Sequence, residues 1–149
     1  MITEYKHIVR IADSDLDGSM KAAYALTKIK GVGITLAHAI LRTIGVNPEK
    51  RLGFLTEEEI KRINEAVKNP SKFKVPKYLL NRQRDPETGE DLHLIGADLT
   101  LTIRSDIERM KAIKCWKGVR HALGLKVRGQ KTRTTGRKGM TVGVRRRRK

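Results

Sequence analysis

The hydrophobic positions along the chain recur mainly at the spacing of helices. Leu36, Ile40 and Ile44 follow an i, i+4, i+8 pattern, which predicts a helix over about residues 34–44. Residues 20–30 have the same period, with their apolar positions on one side, so another helix is predicted ahead of it. The pattern therefore indicates two consecutive helices joined by a short turn.

A third helix has the clearest start. Thr56 and Glu59 stand three residues apart in the sequence TEEE, which is the spacing of a capping box, so the helix is predicted to begin at Thr56. Asn69 and Pro70 are expected to end it. Its expected buried stripe is formed by Ile60, Ile63 and Val67.

Two more helices are predicted further along. The longer one runs from Asp98 to about Ile113, and a short basic helix, CWKGVRHAL, follows and is expected to end at Gly124. The apolar residues of the longer helix are spaced as one inward face, made of Leu99, Ile103, Ile107, Met110 and Ile113.

The segment near the N-terminus favours a strand and a turn. Residues 5–12 alternate in part, which is compatible with a strand or with an extended segment. Asp13, Asp15 and Asp17 then resemble the start of a calcium loop, but the position that needs a bidentate glutamate holds Tyr24. We interpret the three aspartates as a turn that caps the next helix, and we predict no metal site.

Together these elements predict a mainly α fold. A helical body of the helix–two-turns–helix type is expected over residues 1–123. A small β-hairpin could form within it over residues 79–94, LLNRQRDPETGEDLHL, with DPETG as its turn. Residues 124–149 have no apolar periodicity, and they are predicted to form an extended basic C-terminal tail.

Charge is distributed very unevenly along the sequence. The 149-residue chain has 33 Lys and Arg residues against 16 Asp and Glu residues, for a net charge of +17. Sixteen of the basic residues lie in residues 109–149, which contain no acidic residue, so residues 1–108 are nearly neutral. A segment of this kind cannot offset its ordering entropy by apolar burial. A polyanion is therefore the expected partner, since each neutralised phosphate releases counterions.

Other features of the sequence exclude several classes of protein. Cys115 is the one cysteine of the chain, so neither a disulfide framework nor a cysteine-rich metal site is expected. No apolar run approaches the roughly 20 residues of a membrane span, and the start, MITEYKHIVR, lacks the apolar stretch of a secretory signal. We therefore expect a cytoplasmic protein with no membrane contact and no cofactor.

The first candidate binding motif is the turn between the first two helices, within ALTKIKGVGITLAHAI. Glycine permits positive φ and a close approach of the backbone, and the start of a helix presents N–H groups that favour a phosphate. Lys28 and Lys30 add charge beside Gly31 and Gly33. We predict that these four residues contact a nucleic-acid backbone, although the motif alone is equally compatible with a tight helical turn that binds no ligand.

The second candidate is WKGVRHALGLKVRGQKTRTTGRKG, residues 116–139. Arginine fits phosphate oxygens bidentately, and a segment without a rigid helix suits folded RNA better than the major groove of DNA. Trp116 and His121 could also stack on a base, although burial of Trp116 against the preceding helix is favoured. The residues predicted to contact RNA are Lys117, Arg120, His121, Arg128, Gln130, Lys131, Thr132, Arg133, Thr134, Arg137 and Lys138.

These motifs carry a resemblance to a known family. GVRHALGLKVRGQKTRTTGRKG is similar to the RG-L-RH-x-x-GL-x-VRGQ-x-T-x-T signature of the universal small-subunit ribosomal protein family numbered thirteen, and ALTKIKGVG resembles its N-terminal helix–turn motif. The similarity spans nearly the whole chain. Residues 70–97 and the ending TVGVRRRRK resemble the archaeal and eukaryotic versions of the family. Lys117 and Val119 depart conservatively from the usual arginine and leucine.

The resemblance implies a structural role in the head of the small ribosomal subunit. The helical body would pack on small-subunit ribosomal RNA and on the neighbouring small-subunit protein numbered nineteen, and it would contribute to bridges with the large subunit. The basic tail would thread into ribosomal RNA, and its end would lie nearest transfer RNA in the decoding region. That end comprises Arg145, Arg146, Arg147, Arg148 and Lys149.

Two other functions are compatible with parts of the sequence. A Gly-hydrophobic-Gly hairpin also occurs in DNA-repair glycosylases and nucleases, but the carboxylates here are spread over helix caps and turns, so we predict no enzyme. A DNA-compacting architectural protein would explain the charge and the hairpin but not the long VRGQ run. Relative affinity for small-subunit RNA and duplex DNA at matched salt discriminates between the ribosomal and the architectural function.

Overall fold

In the computed structural model, which describes residues 5–136, the alternating segment near the N-terminus forms a β-hairpin. Strands β1 (Ile8–Ile11) and β2 (Ser14–Asp17) pair in an antiparallel sheet, with Val9 opposite Leu16. Both of these side chains are buried while their neighbours in sequence along the strands point outward, as the two-residue period of a strand requires. Of the two possibilities for residues 5–12, a strand and an extended segment, the structure shows a strand over Ile8–Ile11.

The aspartates of this region belong to the hairpin, so their interpretation as a helix cap is wrong. Asp13 lies in the turn between the strands with a φ of 60°, and Asp15 and Asp17 lie on β2. The N-cap position of the next helix is occupied by Lys21. Because Leu16 is buried between two exposed acids, the local pattern is that of a strand with one face in the core.

Three helices complete the first part of the fold. They are α1 (Ala22–Leu26), α2 (Ile34–Ile44) and α3 (Glu57–Lys68). Helix α2 has the predicted bounds. Helix α1 is shorter than predicted, because Lys21 pairs with Arg51 in an antiparallel bridge and the backbone after α1 turns through i→i+3 hydrogen bonds.

The start of α3 confirms the capping box. The backbone N–H of Glu59 donates to Thr56 Oγ1 at 3.2 Å, and the backbone N–H of Thr56 donates to Glu59 Oε2 at 2.8 Å. Ile63 and Val67 are fully buried on the predicted stripe, whereas Ile60 packs against the core while partly exposed. The cap sets where α3 begins, and its apolar stripe is the face that meets the hydrophobic core.

The hydrophobic core of the described residues is mainly aliphatic. It is formed by one face of the hairpin, by α1 and by the inward stripes of α2 and α3. The largest fully buried side chains are Ile11, Leu16, Leu26, Ile29, Ile40, Leu41, Leu52, Leu55, Ile63, Val67 and Pro70. Burial of this apolar surface fixes the turn that follows α1, since Ile29 and Val32 lie on either side of its lysine and glycine.

The segment between α3 and the next helix forms short turns. Two 3₁₀ turns, Pro70–Phe73 and Lys77–Leu79, come first, and a single antiparallel bridge then joins Arg82 to Leu92. The predicted hairpin is thus reduced to one bridge around the DPETG turn. The turn is held instead by Asp85, which is buried and accepts hydrogen bonds from Arg82 and from the backbone and hydroxyl of Thr88.

Helices α4 (Gly96–Ala112) and α5 (Trp116–Ala122) follow. The described residues fall into two compact units that divide within α4, between Leu101 and Thr102. The predicted inward face of α4 is confirmed only in part: Leu99, Ile107 and Met110 are partly buried, whereas Ile103 is 47% exposed, and among the described residues no side chain of α4 is fully buried. None of the helices within residues 5–136 has the length and apolar character that a membrane crossing requires. The predicted functional boundary at residues 123 and 124 stays a prediction.

Candidate nucleic-acid interface

The turn between α1 and α2 needs glycine at its first position for reasons within the chain. Gly31 has a φ of 104°, and a Cβ built on it would lie 2.5 Å from the carbonyl oxygen of Leu94. Asn81 holds that Leu94 backbone in place, because its Nδ2 donates to the carbonyl at 2.7 Å and its Oδ1 accepts from the N–H at 2.9 Å. Gly31 therefore allows the turn to pack closely against the segment that leads into α4.

The second glycine of the turn has a different environment. Gly33 is exposed, has an ordinary φ of −92° and is the N-cap residue of α2. A Cβ built on it would meet no heavy atom of residues 5–136 within 4 Å. Ile34 and Thr35 are exposed beside it, so the first turn of α2 points its backbone N–H groups toward open space. This arrangement suits the approach of an anionic group.

The structure brings the two predicted lysines into the same turn. Lys30 is anchored at both ends, since its Nζ donates to Thr100 Oγ1 at 2.9 Å and its carbonyl accepts from the N–H of Gly96 at 2.8 Å. Lys28 is exposed two residues earlier. Lys28, Lys30 and Gly33 are all exposed within the six residues that lead into α2, and we call these three residues the turn surface.

Helices α4 and α5 meet at a tight corner in the second unit. A Cβ built on Gly118 would overlap the carbonyl of Met110, so only glycine permits this approach. The thiol of Cys115 donates to the Met110 carbonyl and accepts from the N–H of Gly118, both at 3.4 Å. Cys115 thus caps α5, a structural role that was not predicted from the sequence. The only indication of this role in the sequence is that Cys115 is the first residue of the predicted helix and stands three residues before Gly118.

The exposed side of α5 carries the predicted basic residues. Lys117 is exposed and His121 is partly buried. Arg120 donates from Nε to the carbonyl of Lys126 at 2.9 Å, and its guanidinium carbon lies 5.7 Å from the centre of the Trp116 ring. Trp116 itself is 73% exposed, so its predicted burial against the preceding helix is wrong. The corner at Gly118 sets α5 so that the indole points to solvent.

The segment after α5 is open to solvent. Gly124 has a φ of 66°, in the left-handed region, and marks the end of α5. Beyond it the N–H of Arg128 donates to Gln130 Oε1 at 3.0 Å, and the Thr135 hydroxyl donates to the Lys131 carbonyl. The exposed predicted residues here are Arg128, Gln130, Lys131, Thr132, Arg133 and Thr134.

The rest of the predicted tail lies outside the described residues. It comprises Arg137, Lys138, Arg145, Arg146, Arg147, Arg148 and Lys149. We use the name basic segment for residues 109–136, the described part of the acid-free region. Its predicted contacts with RNA stay predictions.

Acidic groups are paired with bases in the first unit. Lys6 lies 2.9 Å from Glu57, and Lys77 lies 3.4 Å from Asp91. The hydrogen bond from the neighbouring Lys6 lowers the pKa of the Glu57 carboxyl. The pKa of the Asp85 carboxyl is lowered chiefly by its hydrogen bond from Arg82. These carboxylates remain charged at neutral pH. Nine of the sixteen basic residues of the acid-free region lie in the basic segment, and the other seven follow it in the sequence.

Within residues 5–136, no group of three or more His, Cys, Asp or Glu side chains could hold a metal ion. The turn surface offers lysines and backbone N–H groups, and the basic segment offers lysines and arginines, to an anion. Binding of a nucleic-acid backbone at either surface stays a prediction. Sequence reasoning found both surfaces from their lysines and arginines, but it missed Asn81 and Gly118, which support them through tertiary contacts.

Comparison with known proteins places the chain in a family. Residues 10–138 match the sequence model described as ribosomal protein S13/S18. The small ribosomal subunit protein uS13 of Staphylothermus marinus is 59% identical over 145 residues, which cover 97% of this chain and 96% of that protein. The uS13 proteins of Aeropyrum pernix and Methanothermobacter thermautotrophicus are 56% and 50% identical; they match 98% and 100% of this chain and 97% and 100% of their own lengths.

The match spans both candidate surfaces, and it confirms the resemblance drawn from the GVG turn and the VRGQ run. The chain therefore belongs to the ribosomal protein S13/S18 family, which makes it a ribosomal protein.

Proposed function

We propose that this chain is a structural constituent of the small ribosomal subunit, where it binds small-subunit ribosomal RNA. The observation that carries the proposal is the basic segment, which has no acidic residue, is largely exposed after α5 and has no hydrophobic core of its own among the described residues. A segment with this charge gains order most readily by neutralising phosphates. The relatives named small ribosomal subunit protein uS13 support the same role.

The turn surface provides a second point of contact in this proposal. The N–H groups at the start of α2 and the charge of Lys28 and Lys30 would hold one stretch of RNA backbone. Gly33 would allow that backbone to come close, since the space around its missing Cβ is open within the described chain. The first unit would thereby contact the RNA itself, in addition to the contacts of the basic segment.

The finer parts of the proposal concern the neighbours of the chain in the ribosome. The chain would lie in the subunit head beside the small-subunit protein numbered nineteen, contribute to bridges with the large subunit and be ribosome-bound in the cytoplasm. The residues from Arg145 to Lys149 would lie nearest transfer RNA in the decoding region. Support for these contacts comes from the family's VRGQ and GVG motifs and from the dense charge of the C-terminal residues.

A salt titration tests the proposal. The purified chain is expected to bind a small-subunit RNA transcript more tightly than duplex DNA at matched salt, with an affinity that falls steeply as salt rises. Replacing Arg128, Lys131 and Arg133 with glutamine should reduce the steepness of the salt dependence by roughly one unit for each phosphate that is no longer neutralised. Equal affinity for the DNA duplex would contradict the proposal and favour an architectural DNA-binding protein.

A matched control removes the same charge from the first unit. Lys61, Arg62 and Lys68 are exposed on α3, away from both candidate surfaces in sequence. Their replacement with glutamine changes the net charge equally and should leave the salt dependence nearly unchanged. If both triple variants show the same drop in affinity, binding depends on net charge alone and the basic segment has no special part in it.

A further inference from the structure

The one tryptophan of the chain, Trp116, is exposed to solvent. It is the first residue of α5, and it is 73% exposed. A large aromatic side chain normally contributes most of its area to a core or to an interface. The exposure here has a structural cause, since the close approach at Gly118 sets the short helix against the backbone of Met110 and turns the indole outward. An indole held in this way is available to a partner.

The orientation of the Trp116 ring is restricted by Arg120, whose side chain is itself held by a hydrogen bond. Arg120 lies one helical turn further on, with its guanidinium carbon 5.7 Å from the ring centre. The same side chain donates from Nε to the Lys126 carbonyl at 2.9 Å, and that bond ties the guanidinium to the chain that follows α5. A cation over an indole is attractive, and it favours one orientation of the ring. Most of the ring surface nevertheless remains accessible.

The positive charge near Trp116 favours a nucleic acid as the partner of this surface. Lys114 and Lys117 lie on either side of Trp116 in sequence and are both exposed, and no acidic residue occurs from Arg109 onward. An apolar protein surface would have to bury these charges without compensation. A nucleic acid brings phosphates for the lysines and flat bases for the indole, so it matches both properties of the surface.

We propose that Trp116 is a stacking platform for an unpaired base of the RNA that the chain binds, with Arg120 as the positioning residue for the ring. The inference rests on the proposed function and adds a specific contact to it. Unpaired bases are favoured over a duplex, because bases within a helix already stack on each other and offer no free face. Lys117 would pair with a phosphate adjoining the stacked base.

Tryptophan fluorescence measures this contact directly, because Trp116 is the one tryptophan of the chain. Titration of the full chain with a short single-stranded RNA of mixed sequence should quench the Trp116 emission in step with binding. Heparin, a polyanion without bases, should bind the same cations with little quenching. A duplex of the same RNA sequence should quench less than the single strand at equal occupancy.

Two variants separate stacking from apolar contact. W116F keeps an aromatic face, whereas W116L keeps apolar bulk without one. The expected affinities for single-stranded RNA are near wild type for W116F and about fivefold to a hundredfold weaker for W116L. Circular dichroism of both variants checks that α5 remains helical. Equal affinities of folded W116L and W116F would overturn the stacking role.

The outcomes also separate this inference from the function on which it rests. Tight RNA binding with no quenching, or with the same quenching by heparin, would refute the stacking contact and leave the RNA-binding function standing. Failure of the wild-type chain to bind small-subunit RNA at all would refute the proposed function itself.

Discussion

Gly31 and Gly33, the two glycines of the turn between α1 and α2, are expected to respond differently to substitution. Gly31→Ala places a Cβ at a φ of 104° and 2.5 Å from the Leu94 carbonyl oxygen. The unfavourable backbone conformation costs about 1–3 kcal/mol. Relief of the clash requires the Leu94 backbone to move away from Asn81, and each weakened hydrogen bond adds about 0.5–1.5 kcal/mol. With both hydrogen bonds weakened, the expected loss of folding free energy is about 2–6 kcal/mol.

Gly33→Ser is the matched substitution in the same turn. Serine is a favoured N-cap residue, and the extended backbone of Gly33 together with the open space around it accommodates the side chain. The free energy of unfolding should change by no more than about 0.5 kcal/mol. The added atoms would nevertheless stand where an RNA backbone approaches the N–H groups of α2, and the loss of one such charge-assisted hydrogen bond weakens binding roughly tenfold.

Thermal melting and RNA binding measure the two effects separately. Gly31→Ala should lower the melting temperature by roughly 8 °C or more, at about 4 °C for each kcal/mol, whereas Gly33→Ser should melt with the wild type. At a temperature where all three proteins are folded, Gly33→Ser should show the weaker RNA binding. A wild-type melting curve for Gly31→Ala would refute the packing role of Gly31. Equal destabilisation of Gly33→Ser would refute the conclusion that Gly33 serves RNA access and not packing.

Three further predictions concern stability. Thr56→Ala removes the acceptor for the Glu59 N–H and should cost about 1 kcal/mol in urea unfolding, while an unchanged midpoint would show that the capping box contributes nothing. Gly118→Ala forces a Cβ onto the Met110 carbonyl and should cost about 1–3 kcal/mol, so a wild-type melting curve would contradict the corner described above. Burial lowers the pKa of His93 below its ordinary value of 6.5. Because the unfolded chain then binds a proton more readily, stability is full above about pH 6.5 and is lost as pH falls toward the folded-state pKa. Urea midpoints at falling pH should show that loss in the wild type and less of it in His93→Gln; equal slopes would exclude His93 as the cause.

Local sequence signals predicted the parts of the fold that local interactions determine. The capping box of α3 and the apolar stripe of α2 use partners within a few residues, so their bounds could be placed from the sequence. The helix before the turn is shorter than predicted at both ends: its start is limited by the bridge between Lys21 and Arg51, which are distant in sequence, and its end by the i→i+3 hydrogen bonds that follow Leu26.

The errors elsewhere have a common physical origin. Apolar periodicity shows that a helix face suits a nonpolar or shielded environment, but it does not say that the same chain provides one. Of the residues predicted to face inward from α4, Ile103 is exposed and Ile113, just beyond the helix, is 69% exposed, and Trp116 likewise points to solvent. The basic residues were found because charge is read directly from the sequence. Asn81 depends on hydrogen bonds to Leu94, thirteen residues away, and Cys115 and Gly118 depend on the corner that brings α5 against Met110; apolar periodicity and charge indicate neither.

The most direct test of the central claim is sedimentation of a cell lysate on a density gradient, with detection of this chain in every fraction at moderate and at high salt. If the basic segment is ordered within small-subunit RNA, the chain should migrate with small subunits and whole ribosomes and should stay there at high salt. Release into the light fractions at moderate salt, or migration with DNA, would contradict the ribosomal role of the basic segment.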